Sequence, residues 1–281
     1  MKGNTHEAST SSRRTDGEVE HLTVLRRTRR TAGPPIALLA ILIGIWEAWV
    51  RTADVDPAVL APPSRVVEAL VDTRGALLGH SGTTLAETAI GLTIGAAVGI
   101  GIAVLITSVP LARRAVEPLL VVLQTIPPVV LASTLVLALG FGWAPRIVVV
   151  ALIVLFPVAI ATAGAFRATD PGRLELVRSL GGSRWDVMRH VTVPGALPAV
   201  FDGLRISAAY SVAGAAIAEQ IGGARSGLGL YLARSQRSFR ADQVLAGVVV
   251  IAALSLLVYA AVSLAARRAT PWTAATAQER G

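Results

Sequence analysis

Residues 169–198 read TDPGRLELVRSLGGSRWDVMRHVTVPGALP, an amphipathic stretch between two long apolar segments. It is too long for a simple turn and too amphipathic for a disordered linker, so we expect two short helices. Asp170 is placed to cap the first helix, with Pro171 at its first position. Gly181, followed by Gly182, is placed to end that helix in a left-handed turn. The stretch therefore predicts an ordered helical elbow.

The second half of the elbow carries the start signals of another helix. Ser183 and Asp186 have the spacing of a capping box. Apolar residues follow at intervals of about one turn: Trp185, Met188 and Val191. We expect Pro194 and Pro198 to stop this helix before the next apolar segment. An ordered elbow with apolar residues among arginines suits either of two roles, docking against another protein or lying on an anionic lipid surface. Residue chemistry alone leaves both open.

The composition of the chain indicates a membrane protein. Of its 281 residues, 53% are hydrophobic and only 16% are charged, with a mean hydropathy of +0.62, whereas soluble domains carry about 25% charged residues. The formal net charge of +8 suggests nucleic acid binding. That role needs a basic surface on a soluble fold, however, and here the charges lie between apolar segments. We expect no nucleic acid partner.

Two compositional features exclude classes of chemistry. The chain has no cysteine, which excludes disulfides, thiol nucleophiles and cysteine metal sites. Its only lysine is Lys2, in a polar segment, whereas an ATP-binding loop of the Walker type needs a lysine within a glycine-rich turn. We therefore expect no ATPase site in this chain. The histidines all fall outside the predicted spans, so we expect no metal site: His6, His21, His80 and His190.

Six apolar segments are candidates for membrane spans, since about 20 apolar residues cross the hydrocarbon core. They run from 34 to 50, 85 to 107, 115 to 139, 146 to 166, 199 to 221 and 244 to 266. Residues 1–32 are polar and predict a flexible cytoplasmic tail. Beyond it we expect the first span with an outer loop over 33–80, a core transmembrane domain over 81–268, and a second cytoplasmic tail over 269–281.

Orientation follows from the basic residues, because cytoplasmic loops retain arginine and lysine. Placing the N-terminus inside puts most of the 26 basic residues on the cytoplasmic side, five of them in the elbow. An even number of spans then brings both termini to the cytoplasm. The predicted localisation is a multi-pass protein of the bacterial inner membrane.

The elbow also resembles a known motif. Glu175, Gly181 and the Val191–Pro194 segment have the spacing of the EAA motif of ABC importer permeases, E-A-A-x3-G-x9-I-x-L-P. Leu176 and Val177 replace the two alanines, and valines replace the isoleucine and leucine. The resemblance extends over roughly residues 60 to 266 and is most specific for the sulfonate, taurine and nitrate importers. The segments that carry it are APPSRVVEAL at 61–70, QTIPPVVLAS at 124–133, GALPAVFDGLRIS at 195–207 and AEQIGGARSGLGLYL at 218–232.

This resemblance implies an all-α fold, that of a type I ABC importer permease with six transmembrane helices and a coupling-helix elbow between helices 4 and 5. The elbow would dock into a cytoplasmic ABC ATPase dimer, which binds the ATP and magnesium. The docking residues it implies are Glu175, Leu176, Val177, Gly181, Trp185, Met188, Val191 and Pro194. It also implies a second copy of the chain, an extracytoplasmic solute-binding protein and membrane lipid as partners. The expected cargo is a small, anionic solute such as a sulfonate, taurine or nitrate, with a vitamin precursor as the alternative.

Charged and polar residues inside spans need a partner or a function, because they cost roughly 2.5–3.5 kcal/mol each to insert. Glu47 lies four residues before Arg51 and predicts a local ion pair, while Glu87, at the start of its span, is expected at the membrane interface. Four residues are candidates for a translocation path: Gln124, Pro127, Pro128 and Glu219. The prolines free backbone carbonyls, which are tolerated at membrane depth only against protein or a wet cavity. The alternative interpretation of the proline pair is a packing kink. The alternative interpretation of Glu219 is a structural role.

Two other function classes fit the sequence less well. A membrane-embedded enzyme needs a nucleophile with a base, or paired carboxylates, at one depth, and no convincing set is found. An ion-coupled transporter predicts inverted repeats and broken half-helices, whereas the elbow is the dominant irregularity here.

Overall fold

The computed structural model describes residues 34–53 and 55–272, and the predicted tail over 1–32 and most of the tail over 269–281 lie outside them. Over the described residues the chain forms helices and turns and no strand. The helices are α1 Pro34–Thr52, α2 Pro63–Asp72, α3 Arg74–Ser108, α4 Pro110–Gln124, α5 Pro128–Leu139, α6 Trp143–Arg167, α7 Pro171–Ser179, α8 Arg184–Val187, α9 Val193–Ile221, α10 Leu228–Arg237 and α11 Ala241–Ala269. A π-helical turn, Met188–Thr192, joins α8 to α9.

Two compact units divide at residues 65 and 66. In the first, α1 carries the predicted ion pair, with Arg51 Nη2 2.6 Å from Glu47 Oε1. Glu47 also accepts hydrogen bonds from the backbone N–H of Ser64 at 3.0 Å and from its hydroxyl at 2.9 Å. The carboxylate thus ties α1 to Ser64 within the same unit.

In the second unit, α6 packs along α3 and α9. A β-carbon at Gly91 of α3 would lie 2.5 Å from the Val150 side chain, and one at Gly95 would lie 2.8 Å from the Val154 Cβ. Gly99 approaches Leu155 and Val158 in the same way. This confirms the close packing that glycines at four-residue spacing favour.

A buried apolar cluster lies where α6 meets both α3 and α9. Val150, Val154 and Val158 are fully buried together with Ala215 of α9. Gly203 of α9 lies against α6, where a β-carbon would be 2.9 Å from the Pro157 carbonyl oxygen. Small residues on both neighbours therefore allow α6 to lie at the centre of the unit.

The predicted span over 115–139 is not one helix. It consists of α4 and α5, which meet at 104° across the break at 125–127. Pro127 and Pro128 cannot donate the backbone hydrogen bonds that would continue α4, and Pro128 instead opens α5. The carbonyl of Leu123, expected to be free, accepts from the N–H of Ile126 at 3.2 Å.

Four described helices are long and apolar enough to cross a membrane, α1, α3, α6 and α11, and the bent pair α4–α5 makes five if it counts as one span. The predicted fifth span, 199–221, lies in α9, which does not meet this criterion although it has 29 residues. Its charged residues lower its hydropathy: Asp202, Arg205 and Glu219. The predicted count of six is therefore not reproduced by length and composition.

Helices also occupy segments that the sequence analysis assigned to outer loops. The loop expected between α1 and residue 81 contains α2 and the first turns of α3, and the loop expected over 222–243 contains α10. Leu228, Tyr231 and Leu232 of α10 are buried. The short apolar run of α10 is far below span length, so hydropathy alone does not reveal it.

Candidate functional site: the elbow between α6 and α9

The first elbow helix, α7, begins as the sequence predicts. The Asp170 side chain accepts a hydrogen bond from the N–H of Gly172 at 2.9 Å, and Pro171 occupies the first helical position. Glu175 lies in the middle of the nine-residue helix, is exposed and forms no ion pair with any described residue. Its carboxylate is therefore available to a partner.

The corner of the elbow depends on two glycines. Gly181 has a φ of +82°, in the left-handed region that residues with a β-carbon rarely adopt. The N–H of Gly182 donates to the Val177 carbonyl at 2.9 Å, and a β-carbon on Gly182 would lie 2.6 Å from Val177 Cγ1. The predicted left-handed turn is confirmed, and Gly182 is also required by close approach.

The second elbow helix, α8, carries the predicted capping box. The N–H of Asp186 donates to Ser183 Oγ, while Asp186 Oδ2 accepts from the N–H of Ser183 at 2.9 Å. The Ser183 hydroxyl also donates to Asp186 Oδ2 at 2.6 Å. The hydrogen bonds from Ser183 hold the pKa of Asp186 below its usual value, and the bond from the hydroxyl has a larger effect than the bond from the backbone. The box thus favours the ionised carboxylate at the start of the helix.

The two prolines do not stop the second elbow helix, contrary to expectation. The helix continues through the π-helical turn, in which the N–H of Val193 donates to the Met188 carbonyl. Pro194 then lies in the first turn of α9, where a missing N–H costs little. Pro198 lies inside α9. The elbow is therefore continuous with α9, a helix of 29 residues.

The elbow presents an exposed apolar face. Leu176 of α7 is 61% exposed, Leu180 at the corner 79% and Trp185 of α8 69%. The other predicted docking residues lie deeper: Val177, Met188, Val191 and Pro194 are half-buried. The sequence analysis missed Leu180, although its position directly before the glycine corner is a signal for it. Three large apolar side chains on an ordered polar elbow form a surface suited to a partner.

The candidate path residues separate into two places. Gln124 and Pro128 line a cavity of about 310 Å³ at the α4–α5 break, together with α6 and α9 residues that include Phe156 and Tyr210. No charged residue lines it. Pro127 is not part of its lining, and Glu219 is buried elsewhere, with 1% of its surface exposed. The structure brings Gln124 and Pro128 together and leaves Glu219 apart.

Residues 83–271 match the family described as the inner membrane component of binding-protein-dependent transport systems. The chain belongs to this family. It is the membrane-spanning permease subunit of an ABC importer, a multi-pass membrane protein that works within a transporter complex.

Named relatives and solved structures agree with this assignment. The permease is 30% identical over 249 residues to the formylaminopyrimidine transport permease of Halalkalibacterium halodurans, covering 88% of this chain and 98% of that protein. It is 29% identical over 244 residues to the taurine transport permease of Escherichia coli K12, covering 84% and 88%. A chain of the MetNI methionine ABC transporter superposes with a TM-score of 0.62 at 20% identity, covering 71% of this chain and 98% of that chain.

The permease also contains a buried polar cluster that the sequence analysis did not predict. Glu87, expected at the interface, is fully buried and accepts a hydrogen bond from Arg146, which is 4% exposed. Arg146 also donates from Nε to the Gly142 carbonyl at 2.7 Å. Glu87 lies one turn before Gly91 and continues the stripe of small residues that faces α6, a pattern that places it against protein rather than lipid headgroups.

Proposed function

We propose that this permease imports a small anionic solute and is driven by a separate ABC ATPase that docks on the elbow. The exposed apolar face formed by Leu176, Leu180 and Trp185 carries this proposal. Apolar side chains on a capped, ordered elbow lose their unfavourable hydration when a partner covers them. A lipid surface would do the same, and the motif spacing from Glu175 to Pro194 favours the ATPase.

ATP and magnesium would be bound by that partner, because this chain has no lysine in a glycine-rich turn. On docking, Glu175 faces the partner as an unpaired carboxylate among the elbow arginines. Movement of α8 on ATP binding then passes through the π-helical turn to α9. The permease itself carries out no chemistry.

A second copy of the permease would complete the translocation path. The cavity at the α4–α5 break opens at the surface of one chain, with Tyr210 65% exposed. Facing copies of this surface enclose a path, with α9 as the fifth of six spans in each chain. An extracytoplasmic solute-binding protein would deliver the cargo.

The arrangement requires both termini, and the elbow, to face the cytoplasm. Ala58→Cys and Ser238→Cys, both at exposed positions, should react with a membrane-impermeant thiol reagent in intact cells. Ser183→Cys should react only after the cells are opened. The chain has no native cysteine to interfere. Labelling of Ser183→Cys from outside would reverse the proposed topology.

The cargo class rests on the segment 222–243, which carries four arginines and one aspartate. Asp242 pairs with Arg240 at 2.8 Å. The other three arginines are exposed and form no ion pair with described residues: Arg225, Arg234 and Arg237. A cationic entrance steers anions towards the site, and the taurine permease is a relative. The uncharged lining of the cavity instead favours an uncharged heterocycle. The formylaminopyrimidine permease is a relative whose name indicates such a cargo.

Uptake measurements separate these two cargo classes. With the ATPase and binding protein reconstituted in liposomes, we expect ATP-dependent uptake of an anionic sulfonate without an amino group, reduced about tenfold or more in Arg234→Gln/Arg237→Gln at low ionic strength. Uptake by the double variant should also depend less on salt concentration than uptake by the wild type. Uptake of formylaminopyrimidine alone, unchanged in the double variant, would favour the vitamin-precursor class. Absence of any ATP-dependent uptake would contradict the import function itself.

A further inference from the structure

Two carboxyl groups and a single guanidinium meet in the interior of the permease. Glu87 of α3 and Glu219 of α9 are 0% and 1% exposed, and Arg146 of α6 lies beside them. Glu219 accepts a hydrogen bond from Thr84, which lies one turn before Glu87 on α3, so the two carboxyls lie side by side. If both carboxyls were ionised, the cluster would hold one uncompensated negative charge out of contact with water.

The hydrogen bonds of the cluster distinguish the two carboxyls. Both oxygens of Glu219 accept from donors, Oε1 from the Thr84 hydroxyl at 2.7 Å and Oε2 from the N–H of Gly229 at 2.6 Å. Glu87 Oε1 accepts from Arg146, whereas Glu87 Oε2 is buried and has no donor. A buried acceptor without a donor is costly. The missing donor can be supplied by a proton on Glu87 Oε2 itself, shared with Glu219.

We propose that Glu87 and Glu219 bind one proton between them, with Glu87 protonated and donating its hydrogen bond to a Glu219 carboxylate. One positive and one negative charge then remain in the cluster, which is electrically neutral. Two adjacent carboxylates in a site of low dielectric constant cannot both ionise against one cation without a large penalty. The proton also satisfies the oxygen that otherwise lacks a partner.

The protonated pair lies where the first turn of α10 is held against the core. Glu219 accepts from Gly229, and Thr84 accepts from the N–H of Leu228 at 2.9 Å. His80 accepts from the N–H of Gly227 at 2.9 Å. A β-carbon at Gly227 or Gly229 would collide with Glu219 or with the Ala216 carbonyl. Loss of the proton would leave two carboxylates in contact at the point where this segment docks.

Three helices carry charged or titratable groups near the pair, α3, α6 and α10. Arg146 of α6 is the cation that acts on both carboxyls. The ring of His80 in α3 lies beside the ring of Tyr231 in α10. Arg234, also in α10, acts electrostatically on His80. Neither group supplies a donor to Glu87 Oε2. The proton therefore belongs to the carboxyl pair.

Infrared spectroscopy of the full-length permease in lipid nanodiscs at neutral pH tests the proposal. The wild-type protein should show the carbonyl band of a buried protonated carboxylic acid. The band should be lost in Glu87→Gln and also in Glu219→Gln, because the one remaining carboxyl then ionises against Arg146. Glu47→Gln is the matched control, since Glu47 forms its own ion pair with Arg51, and it should leave the band unchanged.

Thermal unfolding provides the second measurement. Glu87→Gln keeps a donor to Glu219 and an acceptor for Arg146, so it should retain the wild-type midpoint, whereas Glu87→Ala should lower it clearly. A wild-type spectrum without the band, or a band that persists in Glu87→Gln, would overturn the proposal. So would equal destabilisation by Gln and Ala, which is the result expected for a fully ionised Glu87–Arg146 pair.

Discussion

Gly181→Leu should abolish transport while leaving an intact permease in the membrane. Gly181 has a φ of +82°, and a β-carbon in this region costs about 1–2 kcal/mol. No atom lies within 4 Å of a β-carbon built there, so the leucine meets no steric obstacle in the isolated chain. The strain is small against a typical unfolding free energy of about 5–15 kcal/mol. Its effect falls on the angle between α7 and α8 and on the surface presented to the ATPase.

Glu175→Arg should have the same outcome by a different route. Glu175 is exposed and unpaired within the described chain, so reversing its charge leaves the fold intact and opposes the partner. The measurements are permease abundance in the membrane, copurification of the ATPase and ATP-dependent uptake. We expect normal abundance, weakened copurification and no uptake for both variants.

Matched controls separate coupling from general damage. Gly195→Leu introduces the same side chain near the start of α9, where there is open space and no positive φ, and it should transport normally. Gly181→Asn should be intermediate, because asparagine tolerates the left-handed region better than leucine. Normal transport by both Gly181→Leu and Glu175→Arg would show that the elbow is a lipid-surface element.

Gly95→Leu should prevent the permease from folding. A β-carbon at Gly95 would overlap the Ala151 carbonyl oxygen and lie 2.8 Å from the Val154 Cβ. These are atoms of a buried helix that cannot move without separating α3 from α6. Overpacking costs about 1–3 kcal/mol where side chains can adjust, and a clash with backbone exceeds that. The contact between Glu87 and Arg146 also joins α3 to α6, and separating the two helices would break it.

Gly101→Leu is the control on the same helix, because nothing lies within 4 Å of its β-carbon. Thermal stability in detergent and the yield of monodisperse protein measure the difference. We expect Gly101→Leu to match the wild type and Gly95→Leu to give little folded protein. Equal yields of the two variants would mean that α3 and α6 do not pack as described.

The elbow could be predicted from sequence because its signals are local. The Asp170 cap, the Gly181 turn and the Ser183–Asp186 box each depend on residues within a few positions of one another. The prediction that the prolines stop the second elbow helix was wrong because Pro194 follows a helix junction that the sequence does not reveal. A proline tends to end the helix before it, but Pro194 lies in the first turn of the next helix, and a π-helical turn joins the two.

Other features could not be predicted because their partners are distant in sequence. Glu87 was assigned to the interface because it lies at the start of its predicted span, and its partner Arg146 is 59 residues away. α10 is amphipathic and too short to register as a span, so only its packing against the core identifies it. The bend between α4 and α5 was visible as a proline pair, whereas its 104° angle was not.

The central claim, that the elbow docks on a separate ATPase, is tested most directly by photocrosslinking. A photoreactive amino acid at Leu180, which is 79% exposed at the corner, should form a covalent link to the ATPase subunit in membranes from cells that express the complex. The same amino acid at Leu137 of α5, which is 88% exposed, should not. A link from Leu180 to lipid alone, in a preparation where the ATPase is present and copurifies, would contradict the account.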